Sequence, residues 1–314
     1  MSNSSDLYNN LIKEAINNKN SITSNTINEV VKLYSNVAND LIKKATVANG
    51  GFTRAWLNDY QKYINFKVLE LNNTMSNLSE EALKTSAEIA ASVQGDFLSF
   101  INNKYSLDID KEIIQFAYNT NIEVISQIIQ GNFYKDNKSL SDRIWKYGDI
   151  YNKDIQYILT KGMIEQKSYL EIIKDLEKYI NPAAKKDFNF RKVYPGLKNK
   201  KVDYNAQRLL RTSMTHMFRL QADKKAIDNP YITKAKWNLS SEHYSRQVSR
   251  FGPDECDDYA GQLFDKDKIP IQHPQCLCYI TYEIDKSLDE IGRELGQWIN
   301  GKEVNYLDEW LKGA

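Results

Sequence analysis

The sequence predicts a mainly α chain with a small α+β module. A long N-terminal helical region leads into a compact strand-and-loop module that holds Cys and His, and a helical tail follows. Three observations carry that reading. Apolar residues recur at helical spacing through most of residues 5–180, and the first Pro is Pro182. Only residues 231–239 and 276–284 combine β-branched and aromatic residues in strand-like runs. The chain has three Cys and three His, and all six fall between residues 216 and 278.

The helical region reads as several segments. Val30, Val31, Tyr34, Val37 and Leu41 share one face; Ile113, Ile114, Ala117, Ile122, Ile125, Ile128 and Ile129 share another. Breaks are expected at "NGG" (49–51), "NLSEE" (77–81), "NKYSLDID" (103–110) and "QGNFYKDNK" (130–138). Ser79, followed by Glu80 and Glu81, suits a helix N-terminus. Ser139 with Asp142 starts another helix, and Ser168 with Glu171 forms a capping box. Residues 203–228 read as a helix lined by Leu209, Leu210, Met214, Met217 and Phe218 and ended by Pro230. Thr233, Ala235, Trp237 and Leu239 alternate as in a strand, and "CLCYITYEI" reads as a second strand. A capping box from Ser287 to Glu290 opens the tail helix, and Leu307, Trp310 and Leu311 mark a last helical piece. The expected segments are a helical arm (1–138), a helical core (139–228), the α+β module (229–285) and the tail (286–314).

Bulk properties exclude several classes. Net charge is +1, so the chain as a whole is no coat for nucleic acid or membrane. No apolar run approaches the length of about 18 residues needed for a membrane span. The start has no basic segment followed by an apolar one, so no signal peptide is expected. Three Cys, an odd count, suit a reducing cytoplasm. The connector at 181–202 is locally basic. There Lys185, Lys186, Arg191, Lys192, Lys198, Lys200 and Lys201 face a single acid, Asp187. Such a stretch contacts phosphates or an acidic partner, or is a solvated loop.

The Cys and His residues carry the clearest local chemistry. His243, Cys256, His273, Cys276 and Cys278 lie within 36 residues of an otherwise Cys- and His-poor chain. Cys276 and Cys278 would share one face of a strand. His273 approaches through a turn set by Pro274, and Cys256 or His243 completes four ligands. A tetrahedral zinc site uses such donors and supplies folding energy to a small module. Small buried thiols, or a redox pair, are the other readings of the same residues. The acids Asp254, Glu255, Asp257 and Asp258 around Cys256 read as a solvated loop. His216, in the middle of an amphipathic helix, reads as packed rather than ligating. No phosphate-binding Gly loop, nucleophile elbow or His-Glu-x-x-His helix occurs, so no catalytic residue is assigned.

Five segments then occur in a telling order: 139–180, "YNAQRLLRTSMTHMF" (204–218), "KWNLSSEHYSRQ" (236–247), "DECDDYAGQLF" (254–264) and "IQHPQCLCY" (271–279). The series resembles the phage Mu F-like head morphogenesis family, the phage minor head or minor capsid proteins, over roughly residues 139–280. Its most specific parts are Asp-x-Cys-Asp-x-Tyr-Ala (254–260) and His-Pro-x-Cys-x-Cys (273–278). The chain departs from the family pattern at Pro253, where a Cys is common, and at Ser213, where an acid commonly follows Arg211 and Thr212. It carries Leu-Ser-x-x-His (239–243) instead. The resemblance implies a non-enzymatic, low-copy virion protein at the portal vertex or capsid interior, made in the host cytoplasm. It would act in head assembly or DNA delivery. Its implied partners are the portal protein and the major capsid or scaffolding protein, with no membrane. Residues 286–314 are too few for the extra enzymatic domain some relatives carry. The rival readings are a metal-dependent nuclease or cell-wall-acting enzyme delivered with the DNA, and a DNA-binding packaging factor that uses the basic connector.

Overall fold

A computed structural model describes residues 3–47, 53–184, 189–197 and 201–312. It is mainly helical with one small antiparallel sheet, as the sequence predicts. The helices are α1 (Asn3–Thr46), α2 (Arg54–Tyr105), α3 (Lys111–Tyr118), α4 (Ile122–Gln130), α5 (Leu140–Ile164), α6 (Tyr169–Ile180), α7 (Phe190–Val193) and α8 (Tyr204–Asp228). Strand β1 (Ile232–Asn238) follows. A π-helical turn (Tyr244–Val248) and two short helices, α9 (Ser249–Phe251) and α10 (Glu255–Tyr259), come next. Strands β2 (Leu263–Asp265) and β3 (Tyr279–Ile284) and helices α11 (Leu288–Ile299) and α12 (Asn305–Lys312) complete the order.

Local signals set several helix ends. Ser139, Ser168 and Ser287 each accept the backbone N–H three residues on, and Asp142, Glu171 and Glu290 reach back to close the box. Helix α2 stops at Tyr105, where Asn102 takes over: its carbonyl accepts Leu107 N–H at 3.1 Å and its Oδ1 accepts Ile109 N–H at 2.9 Å. Gly131 ends α4 with φ +85°, and a Cβ there would strike the Lys138 carbonyl. Gly131→Ala is expected to lower stability by about 1–3 kcal/mol, read by urea unfolding.

The expected break at 77–81 is absent. Helix α2 runs unbroken through Ser79, which is 1% exposed, into the buried run Ala82, Leu83, Ala87, Ala90 and Ala91. Packing of these small residues keeps the helix going where the Ser-Glu-Glu signal alone would start a new one. The break at 49–51 lies outside the described residues.

The chain forms two compact units, each discontinuous in sequence: residues 1–22, 83–127 and 212–314 in one, and 23–82 and 128–211 in the other. Neither coincides with the segments read from the sequence. Among the described residues the regular elements of the second unit are helices, with Tyr34 edge-on to Tyr151 at 5.7 Å and Tyr60 donating to the Leu41 carbonyl at 2.9 Å. Gly148 lets α5 approach the Asn72 side chain on α2.

The first unit holds the sheet, in the order β2-β1-β3 with both pairs antiparallel. Ala235 and Trp237 of β1 and Ile280, Tyr282 and Ile284 of β3 face its core with Phe97, Ile101, Phe218 and Ile291. The alternation expected from Thr233 breaks there. A bulge between Ile232 and Lys234 leaves Thr233 exposed, and the buried series is Ile232, Ala235, Trp237. Strand β3 also begins three residues later than "CLCYITYEI" suggests. Gln275 sits at φ +65° and Cys276 N–H bonds the His273 carbonyl at 3.1 Å, so the chain is still turning at the two cysteines.

Strand β3 is an edge, and the start of α1 covers it with side chains. Asn9 Nδ2 donates to the Tyr282 carbonyl at 2.9 Å, and its Oδ1 accepts Tyr282 N–H at 2.8 Å. One helical turn earlier, Ser5 Oγ donates to the Ile284 carbonyl at 3.1 Å and accepts Ile284 N–H at 2.8 Å. Ser4 continues onto the Lys286 carbonyl, and Asn3 accepts from Leu288 N–H. The periods match. Four residues of helix rise about 6 Å, and two residues of strand about 6.6 Å. Helical side chains thereby replace a fourth strand and cap an edge that would otherwise present unpaired backbone.

Candidate metal centre

The loops between β1 and β3 bring the cysteines together. Asp254 caps α10 through a box with Asp257, which places Cys256 in the first turn. The turn at His273–Cys276 delivers the other two: Cys278 N–H points at Cys276 Sγ, 3.3 Å away. Cys256, Cys276 and Cys278 are 0%, 2% and 3% exposed, and their three sulfurs lie within 4.8 Å of one another. Cys256 Sγ is 3.5 Å from Cys276 Sγ, and all three thiols are free. This buried cluster could hold a metal ion.

Two histidines flank it. His243 is buried, with Nδ1 3.6 Å from Cys278 Sγ and Nε2 3.1 Å from Asp257 Oδ2. The Asp257 carboxylate accepts from Nε2–H, so Nδ1 is the ring nitrogen turned to the sulfur. His273 is half-buried, and its Nε2 lies 3.1 Å from Asp254 Oδ2. With Asp254 and Cys256 it forms a second set of potential donors, also within 4.8 Å. His216 is packed, as expected: it is 5% exposed and its Nε2 lies 3.0 Å from the Gln272 carbonyl.

Electrostatics favours an anionic cluster. Hydrogen bonds from Cys256 and Cys276 hold the Cys278 thiol well below the ordinary thiol range. The bond to Cys276, added to that with Cys278, pushes the Cys256 thiol far up. Burial disfavours the His243 cation, yet Asp257 and the Cys278 charge outweigh it and raise its pKa. Asp257 in turn is held low by the Asp254 N–H and by His243. A buried negative cluster beside an imidazole suits a cation that takes N and S donors. Burial of all three sulfurs also keeps them from thiol-exchange partners, which weakens the redox reading.

The sequence set was Cys256, His273, Cys276 and Cys278, with His243 as the alternative ligand, and these five residues lie near one another in the structure. That set missed Asp254 and Asp257, read there as solvated acids. The Asp-x-x-Asp spacing around Cys256 is the signal that marks them as a capping box. Of the connector residues, Arg191, Lys192 and Lys201 are exposed. Lys185, Lys186, Lys198 and Lys200 lie outside the described residues. No helix among the described residues is long and apolar enough to cross a membrane. Comparison with known proteins gave no match to a family model, to a curated protein or to a solved structure.

Proposed function

We propose that the chain is a minor structural protein of a tailed-phage head, at the portal vertex or capsid interior, whose C-terminal module is closed by a structural zinc. The ordered segments from 139 to 279 support it, ending in two motifs whose cysteines meet in one buried cluster. The donor set suits zinc. A Zn–S bond of about 2.3 Å puts neighbouring sulfurs of a tetrahedron about 3.7 Å apart, near the 3.5 Å between Cys256 and Cys276. Cys256, Cys276, Cys278 and His243 would hold the ion, with Asp257 behind His243. Bound zinc would supply folding energy, joining the α10 turn, the β1 loop and the turn before β3.

Asp257→Asn keeps the size of the side chain and removes its charge. Zinc affinity, measured by competition with a chromophoric chelator, is expected to fall about 10–100-fold. His273→Ala is expected to leave it close to wild type, because His243 is the fourth ligand. Equal losses from the two substitutions would reassign that ligand.

In this reading residues 1–138 dock on the portal, and capsid or scaffolding protein and DNA are further neighbours. The test uses the whole chain, because residues 3–9 build the sheet edge and a deletion would strip it. In purified particles, quantitative mass spectrometry should find the chain at a small fraction of the major capsid protein, protected from added protease and cross-linked to portal. Its absence from particles would overturn the reading. A delivered nuclease or cell-wall enzyme is the second reading, favoured by a 160 Å³ cleft where His243, His273, Arg246 and Cys276 meet. Metal-dependent cleavage of DNA or peptidoglycan by the zinc-loaded chain would support it.

A further inference from the structure

A second cavity, about 40 Å³, lies between α1, α8 and β3 of the first unit, and Ile12, Ile16 and Ala222 form part of its wall. Arg219 of α8 also lines it and is 7% exposed. The guanidinium is fixed on two sides. Its Nε donates to both oxygens of Asp223 at 2.7 Å, and its Cζ lies 5.6 Å from the Trp237 ring centroid. Asp223 is itself held by the Tyr282 hydroxyl at 2.9 Å. The two terminal nitrogens, Nη1 and Nη2, are buried and have no hydrogen-bond partner. Leaving such donors unpaired is costly, more so on a charged group.

Charged side chains line the cavity from both helices. Lys19 of α1, 6% exposed, lines the same cavity, so two buried cations stand against the Asp223 carboxylate. Cys278 shares the wall, and its sulfur is the other group there, with Asp223, that would oppose an anion. We propose that this cavity is a carboxylate site in which the Nη1–Nη2 fork of Arg219 grips both oxygens. The planar fork matches a carboxylate in a way a lysine cannot. The volume suits it: at about 10–15 Å³ per water-sized group, 40 Å³ takes roughly the three heavy atoms of a carboxylate head. Gln272 Oε1, an unpaired buried acceptor on the same wall, fits an N–H beside the carboxylate, as at a peptide C-terminus.

The site is independent of the phage reading and of the identity of the metal. The test titrates the full-length chain as purified with sodium acetate, N-acetyl-leucine and N-acetyl-leucine amide, each at ionic strength matched with chloride. The readouts are the Arg219 Nε–H resonance, assigned by its loss in Arg219→Lys, and the thermal midpoint. Both carboxylates should shift the two readouts saturably, at millimolar concentrations, and the amide should not. Arg219→Lys should weaken binding about tenfold, having lost the fork. Ala222→Leu fills the cavity, leaves Arg219 and Asp223 in place, and should abolish binding. Tighter binding of N-acetyl-leucine than of acetate assigns the site to a chain terminus; equal binding assigns it to a free small carboxylate. Carboxylates that act no differently from chloride, or an Ala222→Leu chain that binds like wild type, would overturn the proposal.

Discussion

Cys276→Ser is expected to yield a chain that purifies almost free of zinc, and the wild type to carry about one zinc per chain. Cys276 sits at the centre of the cluster: its sulfur is 3.5 Å from Cys256 Sγ and accepts the Cys278 N–H. Serine keeps the shape but replaces a soft thiolate with a hard hydroxyl that stays protonated, so one of four ligands is lost. Metal binding in such a module is folding free energy, and the loss should amount to several kcal/mol. A cluster that packed only as small apolar thiols would behave differently. Serine there would cost about 1–3 kcal/mol for burying a poorly paired hydroxyl, and nothing would depend on metal. Thermal unfolding with and without a chelator separates the two. Zinc closure requires a chelator-induced drop in the wild type and little in Cys276→Ser. Elemental analysis of folded wild-type protein that finds no zinc would reject it outright.

The readable parts of this chain are those whose cause is local. Ser168 and Glu171 stand three residues apart and satisfy each other's backbone within one turn, so the motif carries its own evidence. Ser79 shows where that logic stops: the same kind of signal lies inside α2 because buried alanines beyond it have packing partners far away in sequence. Strand β2 has only three residues and exists because Phe264 lies opposite Ala235, a pairing no short window reveals. At the candidate metal centre, the residue types and their clustering were legible. Their order was not: His243 reaches Cys278 across 35 positions, and Asp257 acts through a ring on another loop. Spacing suggests a donor set, and the turn at Gln275 decides which atoms meet.

The second large effect is expected at Asn9, a residue no motif marks. Asn9→Ala removes both bonds to Tyr282 and leaves a strand N–H and C=O facing a helix in the interior. Each orphaned group costs about 1–3 kcal/mol, offset in part by alanine's better helix propensity of under about 0.7 kcal/mol. A net loss of about 2–4 kcal/mol follows for the unit that holds the sheet. Asn10→Ala, one residue on and exposed, is the control and should be neutral or slightly stabilising. With two compact units a global transition mixes their stabilities, so the sharper readout is local. Amide exchange at Tyr282 should accelerate by about two orders of magnitude in Asn9→Ala and stay unchanged in Asn10→Ala. Exchange at Ile284, held by Ser5, should rise with it if the edge opens as one piece, and hold if each side chain guards only its own strand residue. Unchanged Tyr282 exchange would mean that the start of α1 merely rests on the sheet. A rise ties the first turns of the chain to the same fold as its buried cysteine cluster, and makes residues 3–9 part of the C-terminal module rather than of a separate arm.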